Sequence, residues 1–174
     1  MAPWGKLYKK NILGDILFPE GKKWEDLMTI PYVIENAGLI AYTNKTHYYW
    51  RMTPGSVTHS KITDKDLALF DALENYVDYF TNKYPQLRDA FICRYCSDGF
   101  NAVIHRLVFE KDYYNLIRPI RAKSIRYWEK GLSNPYVSRK VKIQVFLMLF
   151  GAAPYRVFWK IYHFVASKIF KIYG

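Results

Sequence analysis

Between Thr63 and Pro85 the apolar side chains fall three and four residues apart, at Leu67, Phe70, Leu73, Val77, Phe80 and Tyr84. Only a helix gathers all of them on one face, so this stretch must bury a stripe against other elements. Thr63 followed by Asp66 has the look of an N-cap signature, and Pro85 closes the pattern. Helix is predicted again from Leu87 to Glu110, with a break at Asp98-Gly99, and from Tyr113 to Lys130. Gly131 and Asn134-Pro135 mark a boundary. After it come a nearly all-apolar run from Val141 to Phe150 and a hinge at Gly151-Ala152-Ala153-Pro154.

The first sixty residues have a different texture. Gly14 and Pro19-Glu20-Gly21 are turn material, and a helix is expected from Trp24 to about Ala37. The carboxylates of Glu25 and Asp26 then stand in its first turn, where the helix dipole favours them. Pro31 predicts a kink or a later start. Leu39-Ile40-Ala41-Tyr42 and His47-Tyr48-Tyr49-Trp50-Arg51 read as two short strands around a Thr43-Asn44-Lys45-Thr46 turn.

Charge divides the chain. Residues 1–120 hold 15 Lys/Arg against 14 Asp/Glu, whereas residues 121–174 hold 11 Lys/Arg against Glu129 alone, a net of +10. So basic a segment suits a polyanion. From Tyr155 onward Arg156, Lys160, His163, Ser167 and Lys171 fall on one helical stripe. Phe158, Ile161, Tyr162, Val165, Ile169 and Ile172 occupy the other side. Basic residues interleaved with bulky apolar ones fit a membrane interface better than nucleic acid, so no nucleic-acid partner is expected. Arg156, Lys160 and Lys171 should face head groups, with Lys168 near the edge and the apolar stripe in the acyl boundary.

Cys93-Arg94-Tyr95-Cys96 has redox or zinc spacing, but no second pair follows, and buried thiols are the simpler account. His47, His59, His105 and His163 show no metal-ligand spacing, so no metal site is assigned. The opening Met-Ala-Pro-Trp-Gly-Lys has no apolar h-region, and no run of eighteen uninterrupted apolar residues occurs.

Three blocks carry a resemblance. Trp4-Gly5-Lys6-Leu7-Tyr8-Lys9 is followed by Phe18-Pro19-Glu20-Gly21-Lys22-Lys23-Trp24-Glu25-Asp26, then by Tyr48-Tyr49-Trp50-Arg51 with Gly55-Ser56-Val57. In that order they resemble the acceptor side of family 2 glycosyltransferases of the bacterial surface-polysaccharide type, which have the GT-A fold. The resemblance covers residues 3–60 and is loose beyond them. It implies inverting transfer of a sugar from a nucleotide-diphosphate sugar to a surface-polysaccharide acceptor. Asp26 would be the general base and Glu25 its support. Arg51 and His59 would meet the leaving diphosphate, and Trp24, Tyr49 and Ser56 would line the substrate site.

A complete relative carries a nucleotide-binding half and an Asp-x-Asp motif holding a divalent cation, Mn or Mg. Asp64-Lys65-Asp66 has those letters but opens a helix, so it reads as a cap. The expectation is therefore an α/β, GT-A fragment without a cofactor of its own, mostly α-helical with a small β element. Residues 1–62 would be the acceptor-side part, residues 63–134 a helical extension, and residues 135–174 a basic amphipathic tail. Activity would require a chain bearing the nucleotide-binding half. The alternative is a non-catalytic remnant or subunit, and either would sit on the cytoplasmic face of the bacterial membrane.

Overall fold

A computed structural model describes residues 3–49, 51 and 61–173, and the chain divides into two compact units, up to Lys61 and from Ile62 onward. The first unit holds a short helix α1 (Lys10–Leu13) and a longer α2 (Glu25–Glu35). α2 starts at Glu25 and runs through Pro31, burying Leu27, Ile30, Pro31 and Val33. Asn36, at its end, donates through Nδ2 to the Ile12 carbonyl, 3.3 Å away, and so ties the two helices together.

No strand occurs among the described residues. The expected small β element, and with it the α/β GT-A class, is corrected to a helical protein. The reason lies in burial. Leu39, Ile40, Tyr42, Tyr48 and Tyr49 are all exposed. Residues of high β preference form strands when a ladder partner and a surface to cover are both present. Here the described part of residues 39–51 is irregular chain.

The second unit is a helical bundle. α3 (Asp64–Lys83) starts where Thr63 and Asp66 lock together. The Asp66 carboxylate accepts from the Thr63 backbone N–H at 2.8 Å and from its hydroxyl at 3.1 Å. Leu69, Phe70, Leu73, Tyr76, Val77 and Phe80 form the buried stripe of α3. A 3-10 turn (Pro85–Leu87) reverses the chain into α4 (Arg88–Asp98), which packs on α3 through Phe91 and Tyr95. Phe91 stands edge-on to Tyr76 at 5.6 Å, and Tyr95 edge-on to Phe70 at 6.2 Å. Such aromatic pairs add about 0.5–1.5 kcal/mol beyond area burial.

At Asp98-Gly99, where a break is expected, the helix widens instead. Gly99–Ile104 is a π-helical segment that leads into α5 (His105–Leu107). Gly99 permits a close approach, since a Cβ on it would lie 2.9 Å from Cε1 of the fully buried Phe70. α6 (Tyr113–Ser124) joins α3 through Lys123, which pairs with Asp71 and lies 3.7 Å from Glu74. Arg126 adds a 3.2 Å pair to Glu74. α7 (Trp128–Ser133) follows, with the Asn134 amide donating to the Asp89 carbonyl at 2.7 Å. α8 (Arg139–Phe150) and α9 (Ala152–Tyr173) complete the unit, joined through Gly151 and packed on each other.

Gly99 sets two effects against each other. Its backbone is ordinary right-handed helix, so alanine would gain about 1 kcal/mol of helix propensity. The clash with Phe70 outweighs this, because overpacking a filled core costs about 1–3 kcal/mol. Gly99→Ala is therefore expected to lower unfolding stability by up to about 2 kcal/mol net of that gain, read by urea denaturation.

Candidate functional site

Trp24 holds φ at +68°, and it is the sole non-glycine residue with positive φ among those described. This left-handed residue turns the chain into α2 and places Glu25 and Asp26 in the first helical turn, both half-buried. Asp26 Oδ1 accepts from the Leu27 backbone N–H at 2.8 Å, so this carboxylate satisfies one of the donors left over at a helix start. Trp4 stacks on Tyr48 with ring centroids 5.1 Å apart, which brings the first and third sequence blocks together. Tyr49 is 88% exposed, and Arg51 is exposed in irregular chain. Ser56 and His59 lie outside the described residues.

The more developed surface is at the other end of the chain. α8 buries Val141, Gln144, Val145 and Met148, and its opposite stripe exposes Ile143, Phe146 and Phe150. α9 turns Tyr155 and Trp159 inward. Its outer side carries Val157, Phe158, Ile161, Tyr162, Phe164 and Val165, every one exposed, up to 63% for Phe164. Exposed Lys160 and Lys168 stand among them, and no acid follows Glu129 in the sequence. Side chains beyond Lys168, including Ile169 and Lys171, lie outside the described residues. Large exposed apolar areas rimmed by charge mark interaction surfaces.

Arg156 corrects the expected stripe. Its guanidinium does not face outward with Lys160, because Nε donates to the Val108 carbonyl at 3.1 Å and Nη2 to the Glu110 carbonyl at 2.7 Å. These carbonyls follow the C-terminal end of α5, where positive charge is favoured. The same cation lies over the Tyr113 ring at 4.7 Å and the Tyr114 ring at 5.4 Å. Tyr113 in turn donates to the Ala152 carbonyl at 2.8 Å. Arg121 does similar work at the end of α8, donating to the Met148 and Leu149 carbonyls at 3.4 and 3.3 Å.

Two polar links seat the inner face of α9. Tyr155 donates to Gln144 Oε1 at 2.8 Å, and Gln144 Nε2 donates to Asn101 Oδ1 at 3.3 Å, joining α9, α8 and the π segment. Burial pushes the Tyr155 hydroxyl far above its usual pKa, so it stays a donor. Further along, His163 and His105 face each other with their Nε2 atoms 3.0 Å apart. Burial, helped by Lys140 and His163, lowers the pKa of His105 to about 4. Cys96 is a buried thiol pushed up to about 12 by burial, and thus chemically inert. Among the described residues no group of three or more His, Cys, Asp or Glu side chains gathers in metal-holding geometry.

No family model, curated protein or solved structure matches the chain. The likeness of residues 3–60 to family 2 glycosyltransferases is therefore carried by its motifs alone.

Sequence reasoning missed Arg156 as an internal anchor and the His105–His163 pair. Both join residues far apart in the chain, and no local spacing signals either contact. Arg156→Ala should cost about 2 kcal/mol of unfolding stability, since hydrogen bonds from a charged donor are worth about 1.5–3 kcal/mol. Lys160→Ala, one helical turn away but exposed, should stay within about 0.5 kcal/mol of wild type. Thermal and urea denaturation of the two variants checks the difference.

Proposed function

We propose that this protein works at a membrane surface, with its α8–α9 end lying on anionic lipid. The observation that carries the reading is the outward side of α9. Val157, Phe158, Ile161, Tyr162, Phe164 and Val165 are left exposed although the helix has a well-packed inner face of its own. A bundle that needed these residues for its core would have turned them inward. Lys140, Lys160 and Lys168 supply positive charge on the same two helices without an opposing carboxylate.

Two terms then favour lipid. Burying the apolar side contributes about 25 cal/mol per Å² of apolar area. Each basic residue near an anionic surface adds about 1 kcal/mol. No helix of the described residues is long and apolar enough to cross a membrane. The geometry accordingly favours a helix lying in the interface, its apolar side in the acyl boundary.

Sugar transfer has less behind it. It rests on the Glu25–Asp26 pair and its flanking blocks, its α/β frame is absent from the described residues, and Asp26 is already engaged with its own helix.

Vesicle flotation tests the membrane reading. Wild-type protein should float with vesicles containing phosphatidylserine and much less with neutral phosphatidylcholine. High salt should weaken binding without abolishing it, because only the charge term is screened. Replacing Ile161, Phe164 and Val165 together by Ser leaves the inner face untouched and should reduce partitioning at least ~10-fold. Lys160→Glu with Lys168→Glu should remove the preference for anionic lipid. Unchanged flotation of the triple Ser variant would overturn the proposal, and a steep salt-dependent affinity for RNA or DNA without lipid binding would replace it.

A further inference from the structure

One cluster on the inner side of α9 is not explained by packing alone. His163 of α9 and His105 of α5 share a hydrogen between Nε2 atoms 3.0 Å apart, their rings 5.0 Å apart. Trp159 stands edge-on to His105 at 4.9 Å, and Phe109 edge-on to His163 at 4.9 Å. The other nitrogen of His105, Nδ1, is buried and meets no hydrogen-bond partner. The pair is therefore built for neutral imidazoles, one donating and one accepting. If His105 accepts, a proton on its Nε2 sets N–H against N–H. If it donates, a proton on Nδ1 is buried without an acceptor. Either position is costly.

The surroundings give a proton no help. Lys140 of α8 acts on His105 and lies 5.9 Å from the Trp159 ring centroid. Arg106 is the next residue on the same helix, and Arg156 of α9 holds the carbonyls of Val108 and Glu110. Tyr113 of α6 lies against the Arg156 guanidinium, and its hydroxyl donates to Ala152 and is kept protonated by burial. Glu110 turns its carboxylate to the Ile62 backbone N–H, 3.2 Å away, and does not pair with the imidazoles.

We propose that the His105–His163 pair is an acid-released latch. It seats α9 from Trp159 onward on the bundle when both rings are neutral, and mild acid frees that stretch so that its inner side, Trp159 included, also becomes available to lipid. The inference rests on the membrane reading for its consequence but not for the latch itself.

The sign follows from linkage. Seated, His105 resists protonation down to about 4, whereas once α9 lifts it becomes an ordinary imidazole titrating near 6.5. Between those values the released state binds the extra proton, so seating weakens as pH falls from 6.5 towards 4 and levels off below. At pH 5 the displaced titration favours release by about 30-fold relative to neutral pH.

Backbone hydrogen exchange of the full chain without lipid reads the latch directly. Amides of residues 159–168, after correction for intrinsic rates, should lose protection by about 30-fold between pH 7.5 and pH 5, while α3 stays protected. His105→Gln keeps a hydrogen-bonding side chain but cannot titrate, and should flatten this dependence. Equal loss of α9 protection in wild type and His105→Gln, or no loss in wild type, would overturn the latch. Should His105→Gln fail to fold, the wild-type imidazole resonances decide. A His105 ring that titrates near 6.5 while α9 remains protected overturns it equally. Flotation at the two pH values then separates the two ideas. Stronger binding to anionic vesicles at pH 5 supports the coupling. Absence of binding at both values sinks the membrane reading and leaves the latch, as read by exchange, standing.

Discussion

The guanidinium of Arg156 decides which way the last helix faces. Anchored on the carbonyls of Val108 and Glu110 and covered by Tyr113 and Tyr114, it fixes the rotation of α9 about its own axis. Once Arg156 points in, Trp159 and His163 must point in as well, since they lie three and seven positions away, and Tyr155 is held inward beside them by its own hydrogen bond to Gln144. Ile161, Phe164 and Val165 are then forced outward. A single cation at the end of one helix thus determines the apolar surface of another, and that surface is the basis of the functional reading.

What could be read from the amino-acid order was local. Thr63, Asp66 and the stripe from Leu67 to Tyr84 define α3, because a cap and a periodic face are properties of neighbouring residues. Pro85 ends it for an equally local reason. The strands expected at residues 39–42 and 47–51 depended on partners elsewhere, and no neighbouring residue could show that none is present among the described ones. The rotation of α9 was illegible for a related reason. Both of its sides carry aromatic residues, with Tyr155 and Trp159 on one and Phe158 and Phe164 on the other. Contacts with residues far away in the chain break the tie, the carbonyls of Val108 and Glu110 first among them.

The Glu25–Asp26 pair shows how a motif and a helix start can use the same letters. Carboxylates in a first turn are stabilised by the dipole whatever else they do, and Asp26 takes up the Leu27 N–H. The unusual residue there is Trp24, a bulky side chain at positive φ, where L-residues are disfavoured by sterics. Its indole is half-buried at the entry into α2. Glu25 and Asp26 thus stand at a helix start, and a helix start is not by itself a site.

The π segment between α4 and α5 has a consequence for phase. A wide turn accommodates an extra residue, and each residue of an α-helix advances the side-chain direction by about 100°. Without that insertion His105 would leave the helix on a different bearing from the one it now has, and the ring that meets His163 would point elsewhere. Gly99–Ile104 acts in this sense as an angular offset. It lets the first half of the long helix keep the aromatic register demanded by α3, while the second half is turned to the register demanded by α9. Deleting one residue there would satisfy the helix and mismatch its two neighbours.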